Sequence, residues 1–439
     1  MIKHSRPLTQ REANPLALLP LFIFLAVYLI VSIAVNDFYK MPITVAFCVG
    51  VISALIMVKG GTTAERTEIF CRGAGNSNIM LMTLIFILAG AFAQTSKDMG
   101  AVDATVNLTL SIIPASLIVP GLFIAACLVS VSVGTSVGTV VALVPIAAGI
   151  AVKTDISSTL LAAAVVSGAM FGDNLSVISD TTIVATRTQG CNMKDKFRAN
   201  WRIVWPYAVL TVILYAVAAG KYLSVYQPED INWIKMLPYS AVLIMAIIGI
   251  DVIIVLISAI LFSGITGILC GSFNMWGWTA AMGSGILSMG ELIIITLLAG
   301  GMFELIKFNG AINWLIQTLT SRIKTRKGAE LSIGAITSFC NFCTANNTIA
   351  LIMAGPIAKE IAVKYKISAK RSASIMDIFS CAIQGAIPYG AQLLMAATLA
   401  GISPISIMKY AYYPYLLAAG AIIAIIFANS RKTPPDASA

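Results

Sequence analysis

The chain has 439 residues, of which 58% are hydrophobic and 11% are charged, and its mean hydropathy is +0.90. Soluble globular domains have about a quarter of their residues charged, so this composition excludes an ordinary soluble protein. The formal net charge is +10. The basic residues lie in short segments between apolar runs, which indicates that they set the orientation of the chain in the membrane and do not bind nucleic acid.

Apolar stretches of roughly twenty residues recur along the chain, and each is long enough to cross a bilayer as a helix. In chain order they include 16–35, 42–58, 79–95, 203–224, 252–270 and 411–428. Residues 1–15 are polar and lack the apolar core and cleavage site of a signal peptide, so we expect no cleavage. The sequence therefore predicts an all-α polytopic membrane protein whose principal partner is the lipid bilayer.

The second half of the chain repeats the first at an offset of about 210 residues. Four blocks match in the same order and pair Gly90 with Gly300, Pro145 with Pro356, Gly172 with Gly385 and Trp205 with Tyr413. Such internal duplication is common in secondary transporters, where the two halves form a pair of repeats.

The distribution of Lys and Arg predicts that the two repeats have opposite orientations. Segments 59–72 and 187–202 are basic, whereas their counterparts at 270–289 and 401–408 contain neither Lys nor Arg. In the second half, the basic segments are 322–327 and 359–371. Because basic loops are preferentially cytoplasmic, matching loops fall on opposite sides of the membrane.

We therefore predict two inverted-topology repeats, 16–224 and 237–428, joined by a linker at 225–236 and flanked by tails at 1–15 and 429–439. With one helical hairpin per half counted as two crossings, the architecture has about 12–14 membrane segments. Discontinuous helices are expected at the bilayer midplane. Both termini then face the cytoplasm of a bacterial inner membrane. The sequence is compatible with a homodimer.

The first predicted break lies in residues 129–144, where Gly134 and Gly138 disfavour a continuous helix within an apolar segment. Unwound backbone at membrane depth is tolerated where protein or a cavity satisfies its polar groups. The alternative is close helix packing through small residues. A polar stretch at the matching place in the second half favours a binding site, with candidates Thr135, Ser136, Thr139, Asn346, Asn347 and Thr348.

A second break is predicted at residues 171–182, FGDNLSVISDTT, where acids and hydroxyls separate two apolar runs. Acids within a spanning segment are costly and usually functional, although SDTT would also suit a helix N-cap. The candidates here are Asp173, Asn174, Ser176, Ser179, Asp180, Thr181 and Thr182. The matching segment, 384–394, keeps glycine but not the acids, and it contributes Gln384 and Gln392.

The oxygen-rich character of both breaks suits a hard monovalent cation such as Na⁺. His4 is the only histidine, so a carboxyl group is the expected proton carrier within the membrane. Asp173 and Asp180 are the first choices, and Asp377 is either a third coupling acid or a structural residue. We predict Na⁺ ligands among Asp173, Ser179, Asp180 and Asn346, with no cofactor other than the transported Na⁺ and H⁺.

The strings GTSVGT…ALVPI and GDNLSVISDTT resemble the NhaC-type sodium/proton antiporter family, over about residues 46–425. The family is part of a superfamily of inverted-repeat carriers with paired hairpins. Its version of the second string reads G-D-H-x-S-P-I-S-D-T-T, so Asn174 replaces the histidine and Val177 the proline. The resemblance implies Na⁺/H⁺ antiport, and similar relatives are linked to amino acids or carboxylates.

The leading hypothesis is a Na⁺/H⁺ antiporter in which the two ions compete for buried carboxylates during alternating access. The alternative is a Na⁺- or H⁺-coupled carrier of an amino acid or small carboxylate, in which Ser136, Asn347 and Gln392 would bind the organic solute. Arg187 could face such a solute, although a role as a cytoplasmic anchor is favoured. Two inverted halves argue against a channel. The sequence contains no recognisable catalytic motif, so we predict that the chain is not an enzyme.

Overall fold

A computed structural model of the chain describes residues 12–34, 41–58, 62–176, 179–220, 232–248, 250–321 and 323–427. Several predicted features lie outside these residues. They are most of the N-terminal tail, part of the linker at 225–231, the C-terminal tail and Val177 of the second break.

The described residues form twenty-one α-helices, preceded by a short 3-10 helix, Pro15–Leu18. The helices of the first half are α1 Leu19–Ala34, α2 Ile43–Met57, α3 Thr63–Ala74, α4 Ser77–Met99, α5 Ala101–Ile112, α6 Ala115–Val133, α7 Ser136–Lys153, α8 Ser158–Leu175, α9 Asp180–Gln189 and α10 Met193–Ala219. Those of the second half are α11 Trp233–Ile248, α12 Val252–Leu269, α13 Met275–Ser288, α14 Gly290–Phe308, α15 Ala311–Ser321, α16 Arg326–Thr344, α17 Asn347–Lys364, α18 Ala369–Gln384, α19 Ala391–Ala400, α20 Pro404–Met408 and α21 Tyr412–Ile426.

The helices confirm an all-α membrane protein. Within the described residues, six helical segments are long and apolar enough to span a membrane, or seven if the pair α5 and α6, bent by 119°, forms one span. The predicted number is larger, and shorter apolar helices such as α19, which has ten residues, are not among these six or seven spans. At about 1.5 Å per residue, ten residues cover roughly 15 Å, half of a hydrocarbon core.

Two helices of the first half recur in the second half at an offset of 211 residues. Helices α7 and α17 each contain eighteen residues and carry an internal proline, Pro145 or Pro356, at the same place. Helices α9 and α19 are equal in length and both end at a glycine with left-handed backbone, Gly190 or Gly401. These boundaries agree with the predicted duplication, while the inverted orientation stays a prediction.

One compact unit consists of the described residues within Met1–Leu84 and Glu291–Ser332. Helices α1 and α2 pack through the stacked rings of Phe24 and Phe47, whose centroids are 4.0 Å apart. Helices α3 and α14 approach so closely that a Cβ atom on Gly73 would overlap the carbonyl oxygen of Gly300. Glu304 and Lys307 form the ion pair that their spacing on α14 predicts, at 3.2 Å.

A second compact unit consists of the described residues within Ile85–Gly290 and Ile333–Ala439. Its central helix is α8, which contacts α6, α7, α10, α18 and α21. Every residue of α8 from Leu160 to Leu175 is buried, as expected for a helix that is apolar on all sides. The few polar residues of this helix, including Asp173, therefore lie in the interior.

Candidate ion-binding site

The first pair of breaks occurs where the predicted polar residues interrupt the apolar helices. Gly134 separates α6 from α7 with φ of 74°, and Ala345 separates α16 from α17 with φ of 52°. Left-handed backbone costs a residue with a side chain about 1–2 kcal/mol, so surrounding contacts must hold Ala345 in place. Gly138, which we expected to interrupt the helix, lies within α7. A single helical glycine costs only about 1 kcal/mol, which packing easily offsets.

The carboxylate of Asp173 joins the two breaks. Its side chain is 3% exposed. Oδ1 accepts a hydrogen bond from the Ser136 backbone N–H at 3.0 Å, and Oδ2 accepts from the Ser136 hydroxyl at 2.6 Å. The Asn347 side-chain amide donates to Oδ2 at 3.2 Å. Ser136 and Asn347 are the first residues of α7 and α17, so one acid from α8 binds at both helix N-termini, where negative charge is favoured.

Two glutamines extend this network to the break between α18 and α19. The Gln392 amide donates to the Ser136 hydroxyl at 2.8 Å, and the Gln384 amide donates to the Gln392 side-chain oxygen at 2.7 Å. Gln384 also donates to the carbonyl of Ala345 at 2.9 Å. The network therefore links all four predicted breaks and offers carboxylate, hydroxyl and amide oxygens, the ligand types that a hard monovalent cation prefers.

Hydroxyl groups of the GDNLSVISDTT string satisfy backbone groups around the break between α8 and α9. The Thr181 hydroxyl donates to the Asp173 carbonyl at 3.1 Å and lies 2.7 Å from the Ser179 hydroxyl. The Thr182 hydroxyl donates to the Ser176 carbonyl at 2.7 Å. These bonds satisfy carbonyl groups that a continuous helix would have paired, as an interrupted helix within a membrane requires.

Other predicted site residues lie apart from the Asp173 carboxylate. The Asp180 side chain is exposed at the start of α9. The Asn346 side-chain oxygen caps α17 by accepting from the Ile349 N–H at 3.0 Å. The remaining candidates support the helix starts: the Thr139 hydroxyl donates to the Thr135 carbonyl at 3.0 Å, and the Thr348 N–H donates to the Asn347 side-chain oxygen at 3.0 Å. Of the two first-choice acids, only Asp173 is surrounded by ligands from other helices.

Asp377 pairs with a lysine that the sequence analysis did not identify. Lys196 Nζ lies 2.7 Å from Asp377 Oδ2, and the two side chains are 1% and 0% exposed. The ammonium also donates to the Asn174 carbonyl at 2.9 Å and to the Thr182 hydroxyl at 2.7 Å. The Asn200 amide donates to the same Asp377 oxygen at 2.8 Å and to the Asn174 carbonyl at 3.0 Å.

The reason for missing Lys196 is that it belongs to the basic segment 187–202, which we interpreted as a loop. The structure extends α10 through this segment, from Met193. A usable signal was present, because Lys196 and Asn200 are four residues apart and so share one face of a helix. Phe197 and Trp201, each one residue further along, form a stacked pair on a neighbouring face.

A cavity of about 710 Å³ lies in the same compact unit and is lined by residues of α4, α7 and α19 among others. Its polar lining includes Gln94, Lys97, Asp103 and Thr398. Both α7 and α19 start beside the Asp173 network and reach the cavity with their later turns. On α7 the lining begins at Pro145, nine residues beyond Ser136, which corresponds to about 13 Å along the helix.

Comparison with known proteins identifies a family. The chain matches the Na⁺/H⁺ antiporter family over residues 4–220 and 231–430. It is 22% identical to the malate-2H⁺/Na⁺-lactate antiporter of Bacillus subtilis, with 92% of this chain and 94% of that protein covered. It is 24% identical to the Na⁺/H⁺ antiporter NhaC of Alkalihalophilus pseudofirmus, with coverage of 85% and 87%.

Among solved structures, the YdaH transporter of Alcanivorax borkumensis, described as having an unusual topology, matches 94% of this chain and 98% of its own. The TM-score is 0.44 and the sequence identity is 13%, so this likeness carries no argument about mechanism.

Proposed function

The chain belongs to the Na⁺/H⁺ antiporter family, and from this premise we propose that it exchanges Na⁺ for H⁺ at Asp173 by alternating access. Membership confirms the predictions of a multi-pass membrane transporter and of a protein that is not an enzyme. We also propose that both termini face the cytoplasm.

The observation that carries the proposal is a buried carboxylate without a cationic partner. Asp173 receives hydrogen bonds from Ser136 and Asn347, both neutral, and forms no ion pair with any residue in the described part of the chain. An isolated buried charge is costly, so burial favours the protonated acid. A bound Na⁺ favours the ionised acid instead. Because the Asp173 carboxylate can bind either Na⁺ or H⁺ but not both, the two ions compete for it.

The position of Asp173 suits a carrier that alternates. The acid links α7 of one half to α17 of the other, and the Gln384–Gln392 pair makes a second link to the same breaks. Neutralisation by Na⁺ or by H⁺ leaves the site with the same charge. A change of access is then possible with either ion bound, and it is disfavoured with neither, because the bare carboxylate would cross with its charge uncompensated.

A second candidate is the coupled transport of a small carboxylate. The Bacillus subtilis relative is named for malate and lactate, and it is matched over nearly the whole chain. The cavity of about 710 Å³ would also hold a small organic solute. In this case the solute would enter through the cavity and move about 13 Å along α7. The helix N-termini at Ser136 and Asn347 would then bind its carboxylate, as helix N-termini often bind anions.

The test uses purified protein in liposomes that contain a pH-sensitive dye, with a proton gradient imposed. NaCl, LiCl, KCl and choline chloride are added in turn to wild type, Asp173→Asn and Asp180→Asn. We expect proton movement with NaCl but not with choline chloride. We also expect its loss in Asp173→Asn and its retention in Asp180→Asn, because only Asp173 has the buried environment described above.

Glu68→Gln is the matched control, because Glu68 is exposed and forms a surface ion pair with Arg72. It should transport like wild type. If no salt moves protons in correctly inserted wild-type protein, antiport is wrong. Uptake of labelled malate, lactate and amino acids by the same vesicles, with and without Na⁺, then decides whether an organic solute is the cargo.

A further inference from the structure

The Lys196 ammonium sits in a ring of oxygen atoms that would suit a metal cation. It has one carboxylate, one backbone carbonyl and one hydroxyl as partners, from Asp377, Asn174 and Thr182, at 2.7, 2.9 and 2.7 Å. These partners come from α18, from the end of α8 and from the start of α9. The carbonyl and hydroxyl belong to the string that we predicted to bind a cation.

The same cluster has more buried acceptors than the ammonium uses. An ammonium has three hydrogens, and all three have partners here. The Oδ1 atoms of Asp377, Asn174 and Asn200 are buried and accept no hydrogen bond from any residue that the structure describes. The Thr181 hydroxyl, which also lies close to the Asp377 carboxylate, donates to the Asp173 carbonyl at 3.1 Å. Buried oxygens without a donor are rare in proteins, and oxygens of these types are the ligands that hard cations prefer.

The formal charges of this buried cluster do not balance. Asp173 and Asp377 contribute two negative charges and Lys196 one positive charge, so one further monovalent cation neutralises the buried group. If Lys196 were absent, two cations would be needed, because an uncompensated buried charge is costly.

We propose that Lys196 is a tethered cation that permanently occupies a second cation site, built from Asp377, the Asn174 carbonyl and Thr182. The chain therefore binds one mobile cation in each cycle, at Asp173. Replacement of Lys196 by a neutral residue opens the second site to Na⁺. This inference relies on the proposed function only for the identity of the cargo.

The experiment measures equilibrium binding of ²²Na⁺ to the purified full-length protein at fixed alkaline pH, with choline as the background cation. Wild type is expected to bind one Na⁺ per chain at saturation. Lys196→Gln is expected to bind two, and the double variant Lys196→Gln/Asp377→Asn returns to one. Lys194→Gln is the matched control, since Lys194 lies on the same helix but is exposed, and it should bind one.

Binding of a single Na⁺ by Lys196→Gln, with the affinity of wild type, would overturn the inference. Transport distinguishes this failure from failure of the proposed function. If wild type exchanges Na⁺ for H⁺ and Lys196→Gln gains no second Na⁺ site, the proposal that Lys196 is a tethered cation is wrong and the proposed antiport stands. If Lys196→Gln gains a site but wild type moves no protons, the tethered cation stands and antiport falls.

A stability measurement covers the case in which Lys196→Gln folds poorly. Thermal unfolding of the variant should be shifted upward by NaCl relative to choline chloride, by more than in Lys194→Gln, because Na⁺ replaces the missing charge at Asp377. In Lys196→Ala, propylammonium should stabilise and propanol should not, since only the former restores both the removed carbons and the charge. Equal stability in all of these solutions would contradict the proposal.

Discussion

Replacement of Gly172 by alanine tests whether close packing of α6 against α8 positions the acid next to it in sequence. A Cβ atom on Gly172 would overlap both side-chain atoms of Ser130 and would lie 2.5 Å from its carbonyl carbon. No rotamer of Ser130 moves its Cβ atom or its main chain, so one helix has to move. The Ser130 hydroxyl, which donates to the Ala169 carbonyl at 2.8 Å, would move with it.

The size of the effect follows from these contacts. Carbon atoms normally approach to about 3.5–4.0 Å and the Cβ atom of Ser130 would be at 2.1 Å, so the helices must separate locally by about 1.5 Å. Overpacking of this kind costs about 1–3 kcal/mol, and a weakened hydrogen bond adds about 1 kcal/mol. The higher helix propensity of alanine returns about 1 kcal/mol. We expect a net loss of about 1–3 kcal/mol in the free energy of unfolding.

Transport should fall more steeply than stability. A displacement of about 1 Å in a positioned group can reduce a rate by about a hundredfold. Asp173 directly follows Gly172, and its bonds to Ser136 and Asn347 come from other helices that need not move with it. The assay compares the initial rate of Na⁺-driven proton movement in liposomes with the thermal unfolding of the same preparation.

Gly121→Ala is the control, because a Cβ atom at that position of α6 meets no atom within 4 Å. We expect it to be more stable than wild type by about 0.5–1 kcal/mol and to transport normally. If Gly172→Ala matched Gly121→Ala in both measurements, the packing argument for the position of Asp173 would be refuted.

Three further predictions concern stability, each measured by thermal unfolding of the purified protein. Gly134→Ala should lower the free energy of unfolding by about 1–2 kcal/mol, because the φ of 74° at this position disfavours a side chain. Ala345→Gly, at a φ of 52°, should not lower it. Equal losses in the two variants would contradict this reasoning. Tyr215→Phe should lower the free energy of unfolding by about 1–2 kcal/mol, because the buried Tyr215 hydroxyl forms hydrogen bonds with Ser167 and the Tyr410 carbonyl. An unchanged midpoint of thermal unfolding would show that these bonds contribute nothing. Glu304→Gln should change stability by less than about 1 kcal/mol, since its ion pair is partly exposed; a larger loss would mean that the pair is effectively buried.

Much of the fold could be predicted from local sequence features. The long apolar runs correspond to helices such as α4, α10 and α12, because helices in a bilayer must satisfy their own backbone groups. The break at Gly134 was predicted from a glycine among hydroxyl residues, and its counterpart at Ala345 from the repeat. The number of full spans was not predictable in this way, because a ten-residue apolar helix and part of a longer one have the same composition.

The chemistry of the candidate site was only partly predictable. The string FGDNLSVISDTT indicated an oxygen-rich break, but it could not rank Asp173 and Asp180. These acids are seven residues apart, and a helix would place them on one face, but the chain is interrupted between them and that periodicity does not apply. Asp173 is in fact buried at the end of α8, whereas Asp180 is exposed at the start of α9.

The sequence by itself determined that this is a membrane transporter with duplicated, interrupted helices, because hydropathy, glycine and repeat spacing are properties of short segments. Only the tertiary structure decided which charges meet. Asn347 contacts Asp173, and Asp377 contacts Lys196, across 174 and 181 positions of sequence. Such contacts depend on how α8, α10, α17 and α18 pack around one interior, and no local pattern records that arrangement.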